Sequence, residues 1–461
     1  LTSWSAQITE LIDPAVARSK VTHEVIIGHG ALAETGQVVR RAMATVGGAS
    51  RVLVMADDAG FAAAGAPVVE TLQSSGFDVE TLVLPSDPLP VASVEEAEPF
   101  RARLASDSSM FPVSVGSGVI NDLVKWAAKE TDRPYVTVAT AASMDGYTSA
   151  GAPLARDGFK VTIPTRAPIA MVADLEVIAA APAEMNGWGY GDLAGKVPAG
   201  GDWLLADALG VEPIDDLAWP LVQDHLRFWL SGSQGIAASD PDAVARLFVG
   251  LTAVGFAMEF HGSSRPASGA DHQIAHMWEM EGHTYEGRKV SHGAAVSVGC
   301  VAVLALFDWL LDQDLTGLDV DAVLASSSNL SGKHVAARQA IADPSIANKA
   351  MVEVAAKHIG QPQQRERLLH IIATWPALRT RLRDHLLRAD TMVTMLQRAG
   401  APTHGAHIGV DAGHLMRTMR AAAFIRRRYT IFDFLEDTGL TDAALAAVMP
   451  KLTYGNQQAA E

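Results

Sequence analysis

The 461 residues are too many for one compact core and suit two domains of ordinary size. With 52 acidic against 36 basic residues the formal charge is −16, and no basic stripe with interleaved aromatics argues for DNA or RNA as a partner. The one cysteine, Cys300, excludes an intrachain disulfide and a cysteine-based zinc site; with no evident signal segment, a cytoplasmic protein is expected.

The first third alternates strands and helices. Strands are expected at Glu24–Ile27, Arg51–Met55, Glu80–Leu84, Pro112–Val115 and Tyr135–Ala139. Helical patterns lie between them at Ala31–Thr45, Phe61–Ser74, Val94–Leu104 and Ile120–Lys129. That repeat predicts a mostly parallel sheet covered on both faces. Phe159–Ile163 and Ile169–Ala173 read as an extra strand pair hung on the sheet.

From Pro182 helical periodicity dominates, with segments at Asp240–His261, Asp271–Glu281, His292–Gln313, Val320–Ser328 and Val335–His358. Gln363–Trp375 and Leu378–Arg398 follow, with Pro376 expected to break between them, then Leu415–Leu435 and Thr441–Met449. The apolar run Ala294–Phe307 is shorter than the roughly 20 residues of a bilayer crossing, so a buried helix and no membrane span is expected. The fold class is thus an α/β, Rossmann-like parallel-sheet domain over residues 1–174 followed by an all-helical domain over 175–461. The cleft between such domains is the expected meeting place of cofactor and substrate.

Several stretches carry chemistry. PVSVGSGVINDLVKWAA (112–128) reads as strand, glycine turn and helix. Gly116, Ser117 and Gly118 would let a phosphate approach the N–H groups of the helix, with Asp122 in its first turn. The turn is not GxGxxG, and a plain strand–helix connection has the same look. Asp57, ending the strand VLVMADD, suits a ribose hydroxyl or a helix cap. Past the strand at 135–139 come Thr140, Ser143, Asp145, Thr148 and Ser149, where open α/β sheets bind ligands. Lys160 and Arg166 are candidate anion partners, while Asp192 and Lys196 open the helical half.

SGADHQIAHMWEMEGH (268–283) places His272 and His276 four apart, on one helix face. His292 heads the next helix, and Asp192 would complete a His₂Asp set with open positions. Asp271 and Glu279 stand ready to orient the rings. There is no HExxH, so a zinc protease is excluded on that motif. Ordinary buried histidines remain the competing reading.

GSGVINDLVKWAA, TAASMDGYTSAGAPL, ADLEVIAAAP, GYGDLAGK, the DW of GGDW, SRPASGADHQIAH and SHG together resemble the sn-glycerol-1-phosphate dehydrogenase family. AAAFIRRRYTIFDFLEDTGL (421–440) resumes the likeness. That family sits in the superfamily of iron-type alcohol dehydrogenases, glycerol dehydrogenase and dehydroquinate synthase. The resemblance implies a dehydroquinate synthase-like fold and NAD(P)H-dependent, metal-dependent reduction of dihydroxyacetone phosphate to sn-glycerol 1-phosphate, a step toward phospholipid biosynthesis. It implies one divalent metal, Zn²⁺ first and Ni²⁺ or Fe²⁺ next, on Asp192, His272 and His292. Carried over by motif, Gly116, Ser117 and Gly118 match the pyrophosphate turn and Asp57 the adenosine ribose position. Thr140 and Ser143 match the nicotinamide side, with Asp122 and Ser149 as further cofactor candidates. Asp145 matches the substrate-hydroxyl residue and His276 the second histidine of the substrate site; Lys160 and Lys196, then Arg166, are its phosphate candidates.

Two stretches depart from that pattern: 210–263 is long, and 310–400 carries extra residues. Another small polyol or sugar phosphate therefore stays open as substrate, as do a homo-oligomer, a dehydroquinate synthase-like cyclase that uses NAD transiently, and a non-catalytic binding protein.

Overall fold

The structure, a computed structural model, describes residues 3–47, 49–156 and 159–453, with the side chains of Phe159 and Lys160 outside that description. Eight strands come first: β1 Glu24–Gly28, β2 Arg51–Asp57, β3 Asp78–Leu84, β4 Met110–Gly116, β5 Val136–Ala139, β6 Gly151–Arg156, β7 Phe159–Pro164 and β8 Ala170–Asp174. Six form one all-parallel sheet in the order β1-β8-β5-β4-β2-β3. Its two faces divide by strand periodicity. Val52, Val54 and Ala56 of β2 join a core with Val38, Val68 and Leu72 on one side. Leu53 and Met55 join Phe100, Leu104, Leu123 and Val124 on the other.

One expectation is corrected here. The segments 159–164 and 170–174 do not pair. β7 pairs antiparallel with β6, and β8 lies inside the main sheet between β1 and β5. All five residues of β8 are buried, as a central parallel strand requires. Gly151 and Pro153 hide β6 from a propensity reading.

The described chain forms two compact units, Leu1–Leu193 with Pro220–Ser264 and Ala194–Trp219 with Arg265–Glu461. Helices do begin to dominate after β8, but the first of them and the long 220–264 segment belong with the sheet. Helices used below are α1 Gly118–Glu130, α2 Ala183–Ala194, α3 Lys196–Ala208, α4 Pro241–His261, α5 Ala270–Met280, α6 His292–Leu311, α7 Ala412–Ala422 and α8 Ile431–Asp437. In the first unit α4 backs the loop after β5: Thr148 Oγ1 donates to Thr252 O at 2.9 Å, and the Tyr147 and Phe248 rings lie 5.9 Å apart.

In the second unit three helical expectations change. Pro376 does not break its helix, which runs Gln361–His385. The buried stripe Leu368, Ile371, Trp375, Leu378 and Leu382 is continuous across it, and that burial outweighs one lost backbone hydrogen bond. Residues 335–358 split into Leu330–Ala340 and Pro344–Lys357, because Asp343 caps a new start. Residues 415–435 also divide: α7 ends at Ala422 and α8 starts at Ile431, after the capping box of Thr430 and Asp433. The apolar run around Cys300 belongs to α6, a 20-residue helix; α4 and α6 are both long and apolar enough to cross a membrane, yet 78% and 89% of their apolar windows are buried in protein.

Asp202 of α3 ties the second unit together. Its Oδ2 accepts from Ala270 N at 2.7 Å, at the start of α5, and its Oδ1 accepts from Ile431 N at 2.7 Å, at the start of α8. Arg265 donates to Asp202 O at 2.9 Å and to Tyr429 O at 3.0 Å. Gly269 allows this approach, since a Cβ there would lie 2.5 Å from Asp202 Oδ2. Burial pushes the Asp202 carboxyl up to about 7, against the pull of its N–H donors and Arg265. A carboxyl raised in the folded state stabilises most below its unfolded value of 3.8 and loses that contribution as pH rises through about 7. Asp202→Asn leaves one N–H donor facing an amide NH₂, at a cost of about 1–3 kcal/mol. In urea unfolding, the stability advantage of wild type over Asp202→Asn is expected to shrink steadily between pH 4 and pH 7.

Candidate active site

In the first unit the carboxyl ends of β2, β4 and β5 bring the nucleotide candidates to one edge of the sheet. Ser117 is the N-cap of α1 but its hydroxyl does not cap the helix. Gly116 and Gly118 are needed for space, as neither has a positive φ. A Cβ on Gly116 would lie 2.7 Å from Ile120 Cβ, and one on Gly118 would lie 2.6 Å from Met144 Cγ. Asp57 Oδ1 accepts from Gly60 N at 2.9 Å, so this carboxylate caps the short helix that follows β2. Its Oδ2 makes no hydrogen bond among the described residues. Thr140 is buried beside the turn, its N–H donating to Gly116 O at 3.2 Å, and Ser143 is half-buried two residues before Asp145.

The loop after β5 is held from several sides. Lys125 of α1 donates to Gly146 O at 2.7 Å and Gly151 O at 3.1 Å, and lies 3.5 Å from Asp122 Oδ1. Burial lowers the pKa of this lysine, opposed by Asp122. Ser149 Oγ donates to Gly146 O at 3.0 Å. Asp122 and Ser149 therefore sit in a network that fixes the loop. Lys125 was missed by sequence reasoning; a lysine inside VKWAA, on the helix face that should be apolar, is the signal. Asp145 N donates to Asp192 Oδ2 at 3.1 Å, which joins two of the candidate carboxylate residues within this unit. α2 can cross the loop because Gly189 lacks a side chain: a Cβ there would lie 1.8 Å from Ala142 O. Asp192 is fully buried, two residues before Ala194, the first residue of the second unit.

The second unit gathers the histidines. His272 and His276 stand one turn apart on α5 with ring centroids 6.1 Å apart, and His292 opens α6 with its ring 5.3 Å and 5.8 Å from theirs. Ser291 caps α6, which fixes where His292 leaves the backbone. Close packing of the two helices depends on Gly299, where a Cβ would lie 2.5 Å from Asp271 O. His272 Nδ1 lies 2.7 Å from buried Asp271 Oδ2, and His292 Nδ1 lies 2.8 Å from Glu279 Oε1. A carboxylate can only accept, so each Nδ1–H donates, and in the neutral ring the lone pair then falls on Nε2. His276, Glu279 and His292 offer ligand atoms within 4.8 Å of one another. Carboxylate and imidazole donors thus form a cluster able to hold a metal ion, with the oriented rings that metal sites use.

The three basic candidates separate. Arg166 is exposed and pairs with Asp132 at 2.9 Å. Lys196 is fully buried in the first turn of α3, where it and Asp271 exert opposite pulls on the buried Cys300 thiol. Lys160 lies on β7 with its side chain outside the described residues.

Comparison with known proteins gives a consistent family. The family described as iron-containing alcohol dehydrogenase matches residues 26–182. Glycerol-1-phosphate dehydrogenase [NAD(P)+] of Halalkalibacterium halodurans is 34% identical over 262 residues, 56% of this chain and 65% of that protein. The Methanothrix thermoacetophila protein of the same name is 32% identical over 297 residues, 64% of this chain and 80% of its own. The matched part spans less than two thirds of the Halalkalibacterium relative and 61% of the Bacillus subtilis one. A probable glycerol dehydrogenase from Sinorhizobium meliloti shares the fold, with TM-score 0.55 and 18% identity over 92% of this chain and 98% of that one.

Glu279→Gln, which keeps the size but weakens the hold on His292, should lower the affinity for a divalent metal ion roughly 10- to 100-fold in a chelator competition while the far-UV spectrum stays unchanged. A Cβ on Gly255 of α4 would lie 2.1 Å from Thr148 Oγ1 and 2.8 Å from Asp145 O. Gly255→Ala is expected to cost about 1–3 kcal/mol in denaturant unfolding by displacing the Asp145 loop.

Proposed function

The chain belongs to the superfamily of iron-type alcohol dehydrogenases and glycerol-1-phosphate dehydrogenases, and from that premise we propose that it reduces dihydroxyacetone phosphate to sn-glycerol 1-phosphate with NAD(P)H. The observation that carries this reading is the pair of clamped imidazoles, His272 on Asp271 and His292 on Glu279. Rings held by carboxylates through Nδ1, which turn Nε2 toward a ligand when neutral, suit a catalytic divalent metal. Asp192, fully buried in the last turn of α2, is the carboxylate proposed to join His272 and His292. Nitrogen and oxygen donors of this kind favour Zn²⁺, with Ni²⁺ or Fe²⁺ as alternatives.

The remaining roles follow from residue chemistry. The Gly116–Gly118 turn admits the dinucleotide pyrophosphate to the first N–H groups of α1. Asp57, with one oxygen used as a cap, keeps the other for a ribose hydroxyl. Thr140 and Ser143 flank the nicotinamide, and Asp145 accepts from a substrate hydroxyl. His276, one turn from His272, moves the proton that the reduced oxygen needs. When bound, the metal supplies Lewis-acid polarisation of the substrate carbonyl and NAD(P)H supplies the hydride.

The test is NAD(P)H oxidation with dihydroxyacetone phosphate, before and after chelation. Activity should vanish on chelation and return with Zn²⁺, Ni²⁺ or Fe²⁺. His272→Ala and Asp192→Ala should lose bound metal and activity together, with kcat/KM down by more than about 100-fold. Metal retained at full stoichiometry in both variants would refute the ligand set. A ketone-dependent reaction with no net change in cofactor would point to the cyclase instead.

A further inference from the structure

Residues 52–100 run from β2 through β3 and into the next helix, and these 49 residues hold nine carboxylates and no Lys, Arg or His. Three of the acids, Asp57, Asp58 and Asp87, fall at the carboxyl ends of β2 and β3. The arginines that bracket the run are committed elsewhere. Arg51 opens β2 at its opposite end, paired with Asp78 at 2.6 Å and Asp107 at 3.0 Å. Arg101 makes a two-pronged pair with Glu98, at 2.7 Å and 2.5 Å. Arg40, on the helix Thr35–Val46, donates to Ser75 O, shortly before β3 begins.

Hydrogen bonds fix this acidic corner. Asp58 Oδ2 accepts from Ser86 N at 3.0 Å, and Ser86 Oγ accepts from Ala59 N at 3.1 Å. That reciprocal pair ties the loop after β3, with Asp87 in it, to the first turn after β2. Asp57 is buried there, while Asp58 and Asp87 are exposed. Gly60 brings Asp57 close to the glycine turn: a Cβ on Gly60 would lie 2.8 Å from Asp57 Oδ1 and 3.0 Å from Gly116 Cα. A ribose held by Asp57 would therefore sit next to a phosphate held by the turn.

We propose that this chain takes NAD(H) and rejects NADP(H), with Asp57, Asp58 and Asp87 as the selecting charges. This deepens the function proposed above, rests on it, and narrows its cofactor to one of two. A ribose 2′-hydroxyl is neutral and can donate to Asp57 Oδ2. A 2′-phosphate carries close to two negative charges at neutral pH and would enter the field of three carboxylates. The ends of β2 and β3 offer it no cation. Like charges so placed cost a factor of about 100 or more in affinity.

Calorimetry on the metal-loaded protein with NAD⁺ and NADP⁺, and no ketone, reads binding without turnover. NAD⁺ should bind about 100-fold tighter or more. Asp57→Ser keeps a helix cap but removes the charge; it should cut that ratio roughly tenfold, by loosening NAD⁺ and tightening NADP⁺. Asp58→Asn keeps an acceptor for Ser86 N without the charge, and should raise NADP⁺ affinity about threefold while NAD⁺ affinity holds. Added salt should narrow the wild-type ratio, because exposed carboxylates are screened and a steric barrier is not. NADP⁺ binding within about threefold of NAD⁺, or a ratio untouched by both substitutions and by salt, would overturn the assignment. Preference for NAD⁺ in a protein that reduces no ketone would leave the selection standing and refute the reductase. Protein that binds neither nucleotide would refute both.

Discussion

An imidazole offers a metal one lone pair, and which nitrogen carries it depends on what the other nitrogen does. In this chain that choice is made by two hydrogen bonds, His272 to Asp271 and His292 to Glu279. Asp271 is the neighbour of His272 in sequence and fully buried, so the bond forms in a dry setting where it is strong. Glu279 comes from the far end of α5 and reaches the first residue of α6. The histidine cluster is therefore a property of two helices packed together and of no single motif. Without these bonds the rings could turn, and a set of donors would become three ordinary histidines.

Much of the surrounding fold serves close approach. Gly299 lets α6 lie against the backbone of Asp271, and Gly269 lets Asp202 reach the start of α5. In the sheet unit Gly189 and Gly255 do the same for the loop that carries Asp145. These glycines act by having no side chain, since none of the four has a positive φ. Buried polar residues then fix what the glycines admit. Asp202 anchors two helix starts, and Lys125 anchors the loop carbonyls.

The sequence was readable wherever one periodicity ruled. The five early strands and their helices follow from apolar runs and 3.6-residue spacing, and His272, His276 and Asp271 could be placed on one helix from spacing alone. What it hid depends on distant partners. β8 looked like an appendage because the strands it joins are more than 30 residues away in the chain or lie across a crossover. The helix through Pro376 persists because its buried stripe is tertiary, invisible to a local rule. Residues 415–435 read as one helix, but the capping box at Thr430 starts a new one and leaves Arg426, Arg427 and Arg428 in the loop between. Arg265 and Asp202, fully buried, carry no local sign of their network.

The most direct measurement is of the ring protons themselves, by long-range ¹⁵N–¹H correlation on histidine-labelled, metal-free protein at neutral pH. His272 and His292, assigned by single substitution, should each appear as the neutral ring with the proton on Nδ1. Finding either one with its proton on Nε2, or doubly protonated, would contradict the orientation on which the whole site is built.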